Sequence, residues 1–256
     1  LARTEPRTLH LHPDGALLAD PAPKDVPPAQ YDFDPANPVP TVGGNFTNYG
    51  TSGFLEGGGY DQKSGTMSGD NSPSLPLSAR ADVLVYRTVP LKAGLEVTGV
   101  VSCRLWVAAS AVDTDFTVKL IDEYPPNVDY PEGYALNLGD SILRMRYRDG
   151  FDAPVFMEPG DVYEIELQLQ ATSNYFAAGH RLRVDISSSN FPHYDVNPNT
   201  SEPLGLNRCT EVARQTIYHD ASRPSSVLRS FLHECRLALR NVYIVASEMT
   251  KRIENG

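Results

Sequence analysis

A serine hydrolase needs a nucleophile, a base that takes its proton and a group that orients the base. The stretch Gly139-Asp140-Ser141-Ile142-Leu143 offers a serine from which ester-cleaving chemistry could start. That chemistry calls for a downstream Asp-x-x-His to supply base and orienter, and none of the six histidines has an aspartate three positions earlier. The residues that follow, Leu143, Met145 and Tyr147 alternating with Arg144, Arg146 and Arg148, carry the two-residue period of a half-buried strand. Ser141 is therefore expected inside a sheet and not at a catalytic centre. The other route to a nucleophilic serine is a strained strand-to-helix elbow, which needs glycine two before and two after the serine. Ser52 has Gly50 but Phe54, and Ser68 has Thr66 and Asp70, so both read as turn residues of a glycine-rich loop. No catalytic residue is assigned.

The remaining side chains that could do chemistry give weaker patterns. His180 opens a strand after Gly179 and His219 closes one before Asp220, which suits hydrogen-bonded strand ends; His10, His12 and His233 have no candidate partner nearby in sequence. Asp113, Asp115, Asp122 and Glu123 supply oxygen ligands but lack the alternating acidic loop with a central glycine that calcium requires. A solvated strand edge is the expectation there, with no metal and no other cofactor. Three cysteines, at 103, 209 and 235, are too few and too scattered for a disulfide framework or a C-x-x-C site, so free thiols are expected. Cys103 alternates with Val101, Leu105 and Val107 and reads as a small core residue. Trp106 lies on the opposite face with Arg104 and Ala108, where it is a core residue, a sheet-packing contact or a sugar platform depending on its exposure.

The elements that would position these residues are bounded by composition. A chain of 256 residues can bury a substantial single core, and 32 acidic against 22 basic residues give a net charge of −10, which disfavours a nucleic-acid partner. No run approaches the roughly 20 apolar residues of a membrane helix, so no membrane partner is expected. No basic-then-apolar leader is present and a cytoplasmic location is expected, although the chain starts at Leu1 and a removed N-terminal piece would carry that information. Asn45-Phe46-Thr47 and Asn199-Thr200-Ser201 fit the glycosylation triplet, a pattern short enough to arise by chance.

Proline density in residues 1–45 excludes helix interiors and central strands, so this stretch is expected as an extended arm with one short strand, Arg7 to Leu11, and with Tyr31 and Phe33 as anchors. Residues 46–80 continue a glycine-rich loop that also holds aromatic residues, which a free linker would lack; the loop is expected to pack on the domain or on a partner. Residues 81–229 read as eight strands: Val83 to Val89, Leu95 to Ala109, Asp115 to Tyr124, Tyr134 to Asn137, Ser141 to Arg148, Val162 to Gln170, Arg181 to Ser188 and Arg214 to His219. In the sixth, Tyr163, Ile165, Leu167 and Leu169 oppose Glu164, Glu166, Gln168 and Gln170, the alternation of antiparallel sheets packed face to face. In residues 230–256 the apolar positions from Leu228 through Leu232, Cys235, Leu239, Val242, Ala246, Met249 and Ile253 alternate four and three residues apart, which predicts an amphipathic helix; a strand over Val242 to Val245 is the alternative.

Gly179 to Asn199, GHRLRVDISSSNFPHYDVNPN, is the most informative block. With DPANPVPTVGGN (Asp34 to Asn45), ARADVLVYRTVPLKAGLEVTGVV (Ala79 to Val101), VDTDFTVKLID (Val112 to Asp122) and ARQTIYHDASRPSSV (Ala213 to Val227), it resembles the C-terminal β domain of the serine hydrolase family that includes cocaine esterase, α-amino-acid ester hydrolase and X-prolyl dipeptidyl peptidase. The resemblance implies an all-β fold, an antiparallel jelly-roll sandwich of the galactose-binding-like kind. It also implies an accessory role, stabilising an α/β-hydrolase domain that carries the Ser, Asp and His triad and walling one side of its acyl pocket. That catalytic domain is the expected partner, with self-association left open. The anchors expected on the face turned toward it are Phe46, Phe54, Phe191 and Tyr194, from the loops Val42 to Tyr60 and Asn190 to Asn207; the alternative for these four is that they cap the sandwich. The second reading of the whole chain is an independent carbohydrate-binding-like module, since jelly rolls also host lectin-like functions.

Overall fold

The computed structural model describes residues 4–45, 57–64 and 75–232. Within them the strands are β1 (Thr4–Leu11), β2 (Leu17–Leu18), β3 (Ala29–Phe33), β4 (Leu84–Arg87), β5 (Leu95–Gly99), β6 (Ser102–Ala109), β7 (Asp115–Tyr124), β8 (Tyr134–Arg144), β9 (Tyr163–Gln168), β10 (Thr172–Phe176), β11 (Arg181–Ser187), β12 (Ala213–Tyr218) and β13 (Ser226–Leu232). They form two sheets in which every pairing between these strands is antiparallel: one of four strands in the order β4-β11-β7-β8, and one of nine.

The larger sheet consists of broken rails. β5 and β6 follow one another along a single line, interrupted after Gly99, whose φ of 116° is open to glycine and closed to most other residues. β9 and β10 flank that line on one side, against β6 and β5 in turn; β12 and β13 flank it on the other, with β3 and β1 outside them.

The core lies between the sheets. Cys103, Leu105 and Val107 of β6, Ile165 and Leu167 of β9 and Ile217 of β12 meet Phe116, Val118 and Leu120 of β7 and Leu182, Val184 and Ile186 of β11, and all are buried. The alternation read in β9 is thus a true inside-outside pattern, whereas in β11 the alternate residues Arg183, Asp185 and Ser187 are buried as well, on the sheet's other face; the fold is the expected all-β sandwich. A smaller cluster of Val39, Val42, Leu77 and Val83, with Tyr60 and Val85 packed on it, pins the N-terminal arm and the stretch before β4 to the outer side of the four-stranded sheet.

Several expected elements differ. The strand expected over Leu95 to Ala109 is two, because the backbone turns at Gly99. Those expected over Tyr134 to Asn137 and Ser141 to Arg148 join as β8, which ends at Arg144; Met145–Tyr147 is a single 3-10 turn whose entry is fixed by the Met145 amide donating to the Thr114 carbonyl at 2.9 Å. β3 lies in the part of the arm where no strand was expected beyond Arg7 to Leu11, pairing along β12 from Ala29 to Phe33, so Tyr31 and Phe33 are buried as strand residues. β10 was not anticipated. Leu228 and Leu232, the start of the expected helical stripe, lie in β13, whose backbone pairs with β1 over its whole length. The rest of that stripe is outside the described residues.

Leu167 is 2% exposed at the centre of this core. Leu167→Asp should therefore cost several kcal/mol, comparable with the roughly 5–15 kcal/mol that holds a domain together. Equilibrium urea unfolding measures it, and a loss below about 1 kcal/mol would contradict this packing.

Candidate docking face

β7 shows two characters. Phe116, Val118 and Leu120 point into the core, while Asp115, Thr117 and Lys119 point the other way and are nevertheless buried, at 8% exposure or less. The polar row is covered by the arm around Val39 to Val42, by Tyr60 to Lys63, and by the loop that leaves β11 at Ser187. Each covering segment is held by the polar groups beneath it.

The arm and the loop are first tied to each other. The Phe191 amide donates to the Val39 carbonyl at 2.9 Å, the Thr41 amide to the Phe191 carbonyl at 2.7 Å, and the Val39 amide to Ser189 Oγ at 2.9 Å. Tyr31 Oη and Ser188 Oγ bond at 2.9 Å, and burial pushes the Tyr31 phenol far above its usual range. Gln62 then links the arm to the sheet: its Nε2 donates to the Val42 carbonyl at 2.8 Å, and its Oε1 accepts from Lys119 Nζ at 3.1 Å. Burial lowers the Lys119 ammonium to about 8, against the pull of Asp140 and Asp185.

Asp140, the aspartate beside Ser141, is the second tie. Its carboxylate accepts from Asn190 Nδ2 at 2.8 Å and Tyr194 Oη at 3.4 Å, and His193 Nδ1 lies 3.3 Å from it; the His193 and Tyr194 rings stack at 4.2 Å. Burial first, and then the Asp140 charge, raise the Tyr194 phenol. A β-bulge makes this possible. Asn137 and Asp140 are three apart and would face opposite sides of a regular strand, but the register slips between Leu120 and Ile121, so Asp140 sits opposite Lys119 and Asn137 opposite Ile121. Both therefore face the covering segments, and Asn137 Oδ1 accepts from the Tyr60 amide at 2.7 Å. Ser141 stands in mid-strand opposite Val118.

The third tie is ionic. Arg144 makes a fork to Asp115 at 2.9 Å on both arms and donates to the Asp195 carbonyl at 2.9 Å. Arg146 binds Asp113 through Nε at 2.8 Å and through its backbone amide at 2.9 Å, then reaches the Glu202 and Thr200 carbonyls at 3.0 and 2.7 Å. Asn197 Nδ2 donates to both Asp113 and Asp115 at 2.8 Å. Burial pushes the Asp115 carboxyl up, against its Arg144 and Asn197 bonds. Asp113, Asp115 and Asp122 are thus buried, which corrects the solvated edge expected for them; Asp122 accepts from Asn174 Nδ2 and lies 2.8 Å from His180 Nδ1. Two aspartates and two arginines at the same spacing of two, at the adjoining ends of two antiparallel strands, were the available signal for this network.

Arg146 also braces a second loop, since its backbone carbonyl accepts from the Val155 amide at 2.8 Å and its guanidinium lies 4.9 Å from the centre of the Phe156 ring. The two loops that meet at Arg146 carry large apolar side chains into solvent: Phe151, 85% exposed, and Val155 on one, Leu204, Leu206, 73% exposed, and Val212 on the other. Of the four anchors expected from sequence, Phe191 is 45% exposed and Tyr194 is partly buried on Asp140; Phe46 and Phe54 lie outside the described residues. Phe151 and Leu206 were not anticipated, because isolated apolar residues in polar loops give no periodic signal.

Removing Arg146 would leave Asp113 buried without its cation, so Arg146→Ala should lose about 3–5 kcal/mol in urea unfolding and open residues 149–156 and 200–212 to limited proteolysis together. Cleavage of one loop without the other would break the link drawn here. Lys119 yields a pH dependence. The unfolded lysine titrates near 10.5 and the folded one at about 8, so between these values the unfolded chain binds more protons and stability rises with pH; below the window the full cost of burying the charge, about 3 kcal/mol, is present. Unfolding below, within and above the window should show that rise in the wild type relative to Lys119→Met. Parallel curves would refute it.

Comparison with known proteins agrees with this architecture. The model of the X-Pro dipeptidyl-peptidase C-terminal non-catalytic domain matches residues 2–228. Cocaine esterase of Rhodococcus sp. (strain MB1 Bresler) is 41% identical over 204 residues, 77% of this chain and 31% of the esterase. The crystal structure of an aminopeptidase from a marine sediment archaeon, Thaumarchaeota archaeon, superposes with a TM-score of 0.76 at 31% identity, covering 90% of this chain and 37% of that one. An α-amino acid ester hydrolase does so with a TM-score of 0.74 at 28% identity, covering 88% and 36%. The chain spans about a third of the length of each of these proteins. With residues 2–228 matched and a two-sheet antiparallel sandwich beneath them, the chain belongs to the X-Pro dipeptidyl-peptidase C-terminal non-catalytic domain family.

Proposed function

We propose that this chain is the accessory β domain of a serine hydrolase that cleaves esters or X-Pro bonds, and that it stabilises the α/β-hydrolase domain and closes one wall of its acyl pocket. One observation carries the reading: Phe151 and Leu206 are exposed to water over most of their surface, on two loops braced from below by a buried ion pair. Apolar side chains held out on loops gain hydrophobic stabilisation when another surface covers them. A loop pinned by hydrogen bonds to the sheet also loses little further entropy when it docks.

In this reading the serine attack, the proton transfer by histidine and the hydrolysis of the acyl-enzyme belong to residues of the catalytic domain. The sequence holds no glycine-flanked serine elbow, and Ser141 is a strand residue. The contribution of this chain is rigidity: Asp113, Asp115, Arg144 and Arg146 fix the loop backbone, and Phe151, Leu206 and Phe191 supply the contact.

The chain alone should not turn over an activated acyl ester or an X-Pro amide, and a serine-directed phosphonate should label nothing. Stoichiometric labelling, with turnover abolished by alanine at the labelled serine, would overturn the accessory reading. Joined to the catalytic part of the Rhodococcus esterase in place of the matching region, the chain should support ester hydrolysis. The pair Phe151→Asp and Leu206→Asp should shift the unfolding of the isolated chain by no more than about 0.5 kcal/mol each, while lowering the thermal stability of the chimera. A chimera indifferent to both changes would place the contact elsewhere.

A further inference from the structure

The nine-stranded sheet also has an outer face, and there the alternation of β6 brings Ser102, Arg104 and Trp106 out while Cys103, Leu105 and Val107 are buried. This face carries a groove of about 330 Å³ whose lining includes His10, Arg104, Trp106, Glu164, Glu166 and Ser226. Strand register sets their order. Trp106 stands opposite Glu164 on β9 and Tyr218 on β12, and Arg104 opposite Glu166 on β9 and Ser226 on β13. Arg104 Nε lies 3.4 Å from Glu164 Oε1, and the Arg223 guanidinium covers the Tyr218 ring at 3.8 Å. His10 sits opposite Ser226, with a buried Nδ1 that has no hydrogen-bond partner among the described residues.

We propose that this groove binds a neutral saccharide, with a sugar ring laid on Trp106 and its hydroxyls held by Glu164, Glu166, Arg104 and His10. A sugar offers an apolar face edged by groups that both donate and accept. The groove offers the counterpart: a half-buried tryptophan ring between side chains that only accept, the two glutamates, and one that only donates, the arginine. Burial lowers the His10 imidazole from its ordinary pKa, which disfavours a positive charge at the edge of the groove.

Other ligand chemistries fit less well. A cation would find the tryptophan and two carboxylates, but Arg104 stands between those carboxylates and is already paired with one of them. An anion would meet Glu164 and Glu166. A purely apolar ligand would strip water from four polar side chains without replacing it. The volume lies within the range of small-ligand clefts. This inference is independent of the docking face, which is built on the other sheet and on different loops.

Trp106 is the chain's one tryptophan, so intrinsic fluorescence reports on the groove directly. The whole chain is titrated with cellohexaose, xylohexaose, mannohexaose and maltohexaose, and in parallel with tetramethylammonium and oligogalacturonate. At least one neutral hexaose should give a saturable change with half-saturation on the order of 1 mM or below. Glu166→Ala, an exposed position whose loss leaves the core intact, should weaken it about tenfold. Trp106→Ala, read by calorimetry, should abolish binding while the unfolding midpoint of the chain shows that it still folds. No response to any neutral hexaose at about ten times that concentration would overturn the proposal, as would an affinity unmoved by Glu166→Ala or tighter binding of tetramethylammonium.

Discussion

A sheet face that is polar and shut off from water must find a partner for each charged group on it, since an unpaired buried charge costs several kcal/mol. β7 carries such a row in Asp115, Thr117 and Lys119, extended by Asp113 just before it, and the outer architecture of this domain follows from satisfying them. Lys119 takes Gln62 and with it the continuation of the arm; Asp113 and Asp115 take Arg146, Arg144 and Asn197 and with them the loop after β11. Stability and the placement of the presented loops are therefore one problem with one set of residues.

The two outer faces answer opposite demands. On the four-stranded sheet the buried charges of β7 are bonded to the segments above them, and the loops so held keep apolar side chains exposed at their tips. On the nine-stranded sheet the outward residues of β6 and β9 stay accessible, and their donors and acceptors remain available to a ligand. The first face thus presents apolar side chains on loops braced from below, and the second a half-buried tryptophan among charged groups.

The Lys119 site shows why such a covered face tolerates a stability cost. A methionine there would avoid burying charge, yet the lysine reaches Gln62 while facing Asp140 and Asp185, and so orients the segment laid over it. Specific placement of a covering segment by a polar contact, at some expense of stability, is a known use of buried polar groups. The Asn137 and Asp140 pair does the same through geometry, because a single extra residue in β8 brings two acceptors to one side of the sheet.

Much of this was legible in residue order. Alternation in Leu182, Val184 and Ile186 and in Ile165 and Leu167 specified strands and the side of each that enters the core, because strand side chains alternate whatever the partner strand is. The absence of a glycine-flanked serine excluded the elbow, since that turn cannot form without small neighbours. Alternation could not reveal that the second face of β7 is also buried, since a polar residue reads as solvent-facing until its partner, distant in sequence, is known. It could not find the bulge that turns Asp140 and Asn137 to one side, the break of β5 from β6 at Gly99, or the strand character of Leu228, whose four-residue spacing to Leu232 mimics a helix. Nor could it show that Phe151 and Leu206 stand exposed on loops joined at Arg146, or that His10, Trp106 and Glu166 share one groove. Sequence determined the period of each strand and the chemistry it carries; only tertiary pairing decided which polar residues meet each other and which are left to meet something else, because those distances are set by non-local register and by loops folded across a sheet.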